Sequence, residues 1–185
     1  MASTYPTSLD AFTNPTSTDL LTSPSHSDQH SDINDAVEAL EAKVAIGNTV
    51  LGTYTTYTPT LSGVTLGNGT VTGQYALVNS FVHLSGSFTF GSTSAITGSV
   101  GISTPISINT TMGLAASPMG LANLNDVSSG AFAVLEILWA SATELRLRAL
   151  NTAASYGVLV VVSSTVPLTW ASGDILTWNV YYRAA

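Results

Sequence analysis

Phe81-Val82-His83-Leu84-Ser85-Gly86-Ser87-Phe88-Thr89-Phe90 reads as one strand, with Val82, Leu84, Gly86 and Phe88 alternating with Phe81, His83, Ser85, Ser87 and Thr89. Successive side chains on a strand point to opposite faces, so one set turns to a core and the other away from it. The same period returns in Glu144-Leu145-Arg146-Leu147-Arg148, leucines inward and charges outward, with Ala131 to Trp139 as the expected hairpin partner. Val158 to Val162 is apolar on both faces and is expected to be a central strand. Ile175 to Tyr182 is expected to close the domain. Gly67-Asn68-Gly69, between Val64-Thr65-Leu66 and Thr70-Val71-Thr72, holds an Asn-Gly pair, the strongest short hairpin signal. About eight strands in roughly 130 residues predict a mainly β protein whose residues 48–185 form an antiparallel sandwich of jelly-roll type.

Upstream the period changes. Ile33, Val37, Leu40 and Val44 step by four, three and four residues, a narrow apolar stripe of the coiled-coil kind. Ser31 or Asp32 supplies an N-cap and Gly47 a stop, so the expected helix spans 31–47. A helix shorter than roughly 12–15 residues is marginal in water, so this one needs partners. Identical stripes on other chains are the expected partners; the alternative is that the stripe lies on the β domain. Before it, Pro6, Pro15 and Pro24 recur at nine-residue intervals among Ser, Thr and Asn. Proline favours extended or turn conformations, so residues 1–30 are expected to form a strap without a core of its own, with Tyr5, Leu9, Phe12, Leu20 and Leu21 spaced along it as anchors.

Of the 185 residues 45% are apolar and 8% charged, enough for one sizeable core plus an appendage. No apolar run approaches the roughly 20 residues of a membrane helix, and Met1 to Leu9 lacks the basic start and apolar stretch of a signal peptide, so synthesis in a cytoplasm is expected. Cysteine is absent, which removes disulfides and thiolate chemistry. The net charge of −7 is lopsided: seven acids up to Ile46 face only Lys43, whereas Asp126, Glu136, Glu144 and Asp174 nearly balance Arg146, Arg148 and Arg183. An acidic arm on a near-neutral body lacks the basic footprint that nucleic acid requires. So few charges on strands rich in small residues suit surfaces packed against other subunits.

Three groups of residues carry a family likeness. They are Tyr5-Pro6, Leu9-Asp10, Phe12 and Asn14-Pro15, then Ser25 to Val44 (SHSDQHSDINDAVEALEAKV); Tyr57-Thr58-Pro59-Thr60 with Thr65 to Tyr75; and Pro167-Leu168-Thr169-Trp170-Ala171-Ser172-Gly173-Asp174. The first resembles the N-terminal attachment segment of tailed-bacteriophage virion proteins. The others look like the β domain often joined to it, particularly in phages of actinobacteria. The family commonly continues the helix as Lys-Val-Gly, whereas here Ala45-Ile46 precede Gly47. The resemblance implies a homotrimer on the virion surface, made in the host bacterial cytoplasm. Residues 1–30 would bind phage capsid or tail proteins through Tyr5, Leu9, Phe12, Leu20 and Leu21, and Ile33, Val37, Leu40 and Val44 would form the trimer seam. A capsid decoration or head fibre is the expected role. The alternative is a tail fibre or tail-tip protein recognising a host cell-surface glycan.

Catalytic chemistry is not expected, and neither is a cofactor. His83 alternates with apolar neighbours and reads as a packed or interface residue, with no acid near it in sequence to build a Ser-His-acid array. Of the β-region acids, Glu144 sits on an Arg-flanked strand and Asp174 follows Gly173 at a turn, so neither suggests the carboxylate pair of a glycosidase. His26 and His30 belong to a tandem repeat, His-Ser-Asp-Gln then His-Ser-Asp-Ile. On a helix their spacing puts both imidazoles on one face, where three copies would ring an axis and hold a metal; polar contacts at the start of the helix are the plainer expectation. Trp139, Trp170, Trp178, Tyr54, Tyr57, Tyr75, Tyr156, Tyr181 and Tyr182 could build a sugar platform, but strand aromatics are more often core or interface.

Overall fold

The computed structural model describes residues 18, 22, 25–44, 53–111, 117–151 and 157–185, with only the backbone described over 41–44. The chain divides into two compact units, Met1–Thr53 and Tyr54–Ala185. In the first, one helix, α1, spans His26–Val44. It starts five residues ahead of the expected Ser31, because Ser25 is the residue at its head: the Gln29 amide donates to the Ser25 carbonyl at 3.1 Å, and Asp28 stands in the first turn, where the helix dipole favours an acid. The expected stop at Gly47 lies outside the described residues, as do the anchors Tyr5, Leu9, Phe12, Leu20 and Leu21.

The second unit is mainly β. Its strands are β1 (Thr55–Tyr57), β2 (Leu61–Thr65), β3 (Thr70–Val78), β4 (Phe81–Thr89), β5 (Ala95–Ser103), β6 (Pro118–Asp126), β7 (Ala131–Ser141), β8 (Glu144–Asn151), β9 (Val158–Val161) and β10 (Ile175–Arg183). They form one antiparallel sheet in the order β1-β3-β4-β10-β6-β7-β8-β5-β2, with β9 also on β8. The end strands of this order are consecutive in sequence. Laid flat, nine strands would hold β1 and β2 about 38 Å apart, at roughly 4.8 Å per step. The link from Tyr57 to Leu61 reaches only about 14 Å. The sheet must therefore curl until its ends meet. At the meeting point the Tyr57 hydroxyl donates to the Ser103 carbonyl at 3.4 Å, and Thr60 and Ser103 exchange two further bonds at 2.8 and 2.9 Å.

Period-two patterning fills the inside of the curl. Val82, Leu84 and Phe88 of β4, Leu145 and Leu147 of β8, and Leu176 and Val180 of β10 are all fully buried, each worth about 1.5–3 kcal/mol of apolar burial. The expected β7–β8 hairpin forms, with Ile137 opposite Leu147. Burial pushes the Tyr182 phenol up to about 12, and that of Tyr57 higher still. Both therefore favour the fold fully below the ordinary 10.0, and the Tyr182 contribution is lost as pH rises through about 12.

Two expectations of pairing need correction. The Asn-Gly turn exists, with Gly69 N–H donating to the Leu66 carbonyl at 2.9 Å, yet it makes no hairpin: β2 pairs with β5, while β3 pairs with β1 and β4. Asn68 instead clasps the β4–β5 turn. Its side chain donates to Ser92 Oγ at 3.0 Å and accepts from the Thr93 amide and hydroxyl, each at 2.9 Å. Nor is β9 central. It pairs with β8 alone and leaves Leu159 and Val161 exposed, so its apolar run marks an open outer surface rather than burial on both faces.

Gly86 shows how tightly the inner face is filled. It stands opposite Trp178 in the β4–β10 register, and the indole lies over it. An added Cβ would meet Trp178 Cζ2 and the Thr72 carbonyl well inside van der Waals distance. Gly86→Ala is expected to cost about 1–3 kcal/mol, the usual penalty for overfilling a packed core. Urea denaturation measures it, and an unchanged midpoint would mean that the indole moves aside freely.

Candidate functional site

Two surfaces of the described residues expose what a free chain would normally hide. On α1, Ile33, Val37 and Leu40 are 53%, 47% and 51% exposed. The helix backbone carries the stripe on to Val44. At the other end, His26 and His30 are exposed, with their Nε2 atoms 3.2 Å apart and their rings edge-on at 4.5 Å between centroids. The spacing of four therefore does put both imidazoles together.

The outer face of the sheet carries the second surface. His83 of β4 and Tyr181 of β10 are register partners, with rings stacked at 4.4 Å and 10°. The Tyr54 hydroxyl bonds His83 Nδ1, and His83 Nε2 bonds Asn179 Oδ1. An amide oxygen only accepts, so Nε2 carries the hydrogen and Nδ1 accepts from the phenol. The imidazole is thus locked from both sides, and Tyr181, still 61% exposed, presents its free ring face to solvent. Alongside, Thr56, Gln74, Ser85 and Asn179 stand in one cross-strand row. A shallow groove of about 460 Å³ runs between Thr56, Thr72, Gln74, Ser85 and Ser87, with Gly86 and Trp178 also in its lining. None of these side chains is charged. Farther along the outer face, Phe132, Val134, Leu150, Leu159 and Val161 form an exposed apolar area on β7, β8 and β9.

The acids of this unit have structural partners. Asp174 is fully buried and accepts from the Ala171 amide at 2.7 Å and the Val127 amide at 3.2 Å, tying the turn before β10 to the β6–β7 loop. Trp170, in the same turn, packs against Phe88 and Phe90. The motif Trp170-Ala171-Ser172-Gly173-Asp174 is therefore a clasp. Asp126 accepts from the hydroxyls of Ser128 and Ser129, both at 2.7 Å, and from their amides, and these bonds hold its carboxyl down to about 2. Its folded value lies below the ordinary 3.8, so its contribution stands above that pH and is lost as pH falls through about 2. Glu144 accepts from Ser62 at 2.5 Å and meets Arg146 at 3.3 Å, and Glu136 stands opposite Arg148 across β7 and β8. No group of three or more potential metal ligands gathers within one chain among the described residues.

Sequence reasoning placed the helix stripe and listed Tyr54 and Tyr181 only among many aromatics. It missed that His83, Tyr54, Asn179 and Tyr181 form one cluster. The alternation in β4 already put His83 on the outer face, but the strand beside it could not be read from local pattern. No family model, curated protein or solved structure matches the chain.

Proposed function

We propose that this chain is a non-enzymatic structural protein of a tailed-phage virion, a homotrimer anchored by residues 1–30 to capsid or tail proteins, in the role of a capsid decoration or head fibre. The observation that carries this reading is the exposed stripe of Ile33, Val37 and Leu40 on a helix with polar flanks. Three apolar residues, each about half exposed at coiled-coil spacing, are covered when identical helices wind together. In this reading α1 is one strand of a three-stranded coiled coil and the curled sheet is a flattened head of jelly-roll type. The exposed area around Phe132 and Val134 packs head against head. Trimerisation lets three weak attachments by Tyr5, Leu9, Phe12, Leu20 and Leu21 act together, raising the effective affinity without new contacts.

A second reading, a tail-fibre or tail-tip protein whose head recognises a host surface glycan, is favoured by one observation. The exposed Tyr181 ring stands beside an uncharged groove of hydroxyl and amide groups. An aromatic face for the apolar side of a sugar, with hydrogen-bonding groups alongside, is the make-up of a small-molecule site.

Three experiments test these readings. Sedimentation of the full-length protein is expected to give a trimer, and Leu40→Asp to weaken its assembly at least tenfold; normal assembly of the variant would put the helix elsewhere. Removing residues 2–24 spares Ser25 and the whole of α1, so the truncated protein should stay trimeric yet fail to attach to phage particles. Retained attachment would refute the anchor role. For the second reading, neutral oligosaccharides on a glycan array should bind the parent and lose about tenfold in affinity with Tyr181→Ala, while a parent blank across the array removes it.

A further inference from the structure

Stepping the apolar stripe backwards from Ile33 by three residues and then four reaches His30 and His26. Positions 26, 30, 33, 37, 40 and 44 thus share one stripe, and all six lie within α1 because the helix begins at His26. With Ile33 and Leu40 at d and Val37 and Val44 at a, His30 takes the a place before Ile33 and His26 the d place before that, places that face the axis when helices wind together. An imidazole is a poor residue for a dry seam, since its ring nitrogens need partners once buried. The two Nε2 atoms of a single chain have only each other as hydrogen-bond partners among the described residues, at 3.2 Å, and such pairs of nitrogens brought to an axis suit a metal.

The geometry within one chain matches that use. Two nitrogens held by one divalent ion at roughly 2.0–2.1 Å stand about 3.0 Å apart at a right angle and about 3.4 Å apart at the tetrahedral angle. The Nε2 atoms of His26 and His30 are 3.2 Å apart, between these values. Imidazole suits Zn²⁺ and Ni²⁺. The positive end of the helix dipole opposes a cation here, and Asp28 in the first turn, with Asp32 beyond it, offsets that field. A single chain offers only two ligands, too few to close a site. Three chains around an axis offer six.

We propose that His26 and His30 of three chains form one shared site for a divalent transition metal of the Zn²⁺ or Ni²⁺ kind, which clamps the leading end of the coiled coil just after the attachment arm. The proposal rests on the trimeric reading above and supplies a fastening that its apolar stripe, only two heptads long, lacks. Metal coordination there fixes the register of the three helices and the point from which the three arms depart.

Full-length protein stripped with EDTA and titrated calorimetrically with Zn²⁺, and separately with Ni²⁺, tests this, with sedimentation run alongside. One ion per three chains is expected, together with a trimer that melts at a higher temperature when loaded. His26→Ala and His30→Ala should each weaken binding about tenfold or more, and both side chains are exposed in the single chain, so the variants should fold. A trimer that binds these ions no more tightly than the double variant would overturn the shared site and leave the oligomer standing. One ion per chain, independent of association, would also overturn it. A monomer under all conditions would sink the trimeric reading itself.

Discussion

The short link between β1 and β2 governs the rest of the β unit. Consecutive strands joined by Thr58-Pro59-Thr60 lie at opposite ends of the sheet order, and so short a link cannot cross an open sheet. Curling follows from that one restraint. Once the ends meet, a single inner face serves every strand, and Leu84, Ile137, Leu147 and Leu176 all reach the same core. The restraint also explains why Tyr57 is half-buried and its hydroxyl is spent on Ser103: the first strand of the unit is the seam of the closure. Asn68 and Asp174 act in the same sense, each holding one loop to another loop instead of serving chemistry.

A sheet that buries its core on one face must leave the other to something else. Here the outer face is sparsely charged and divides by character. Around β3, β4 and β10 it is a polar ladder, with Thr72 bonded to Ser87 and Gln74 to Ser85, ending on the locked His83 and the open ring of Tyr181. Around β7, β8 and β9 it is apolar. The first region offers ordered hydrogen-bonding groups, whose rotamers are already restrained by neighbours, so a contact there would cost little further side-chain entropy. The second offers area and suits a flat protein contact. The charged residues of the outer face are few: Glu136 faces Arg148 within the β7–β8 part, Glu144 meets Arg146 farther along β8, and Arg183 stands at the end of β10.

In the proposed reading, function divides between the two units. Under that proposal, attachment and association belong to the leading unit, whose helix has one bare stripe. In the second reading, recognition belongs to the uncharged surface beside Tyr181. The two histidines stand in the first turns of α1, and the metal proposed there would act on assembly alone. None of these roles requires an activated side chain. The ionisable groups most displaced from their usual range, Tyr57, Tyr182 and Asp126, owe that to burial or to turn hydrogen bonds.

Local pattern carried much of this chain. The alternation in Phe81 to Thr89 and in Glu144 to Arg148 was enough to say which side chains enter the core, because the pleat has a period of two whatever lies beside the strand. The three-four spacing of Ile33 to Val44 was likewise enough for a helix with one apolar stripe. Partner choice was beyond it. Asn68-Gly69 read as a hairpin and is a corner, and Val158 to Val162 read as a central strand whereas β9, Val158–Val161, is an open edge, because pairing is decided by closure of the whole sheet, which couples residues far apart in the chain. The helix start at His26 was missed because Ser31 and Asp32 are good cap types that here lie inside the helix, while Ser25, of the same type, heads it. The site around His83 was hidden for the same reason as the pairing: its members come from two strands far apart in the chain, β4 and β10, and the residue before β1, and nothing local tells a strand which neighbour it will meet.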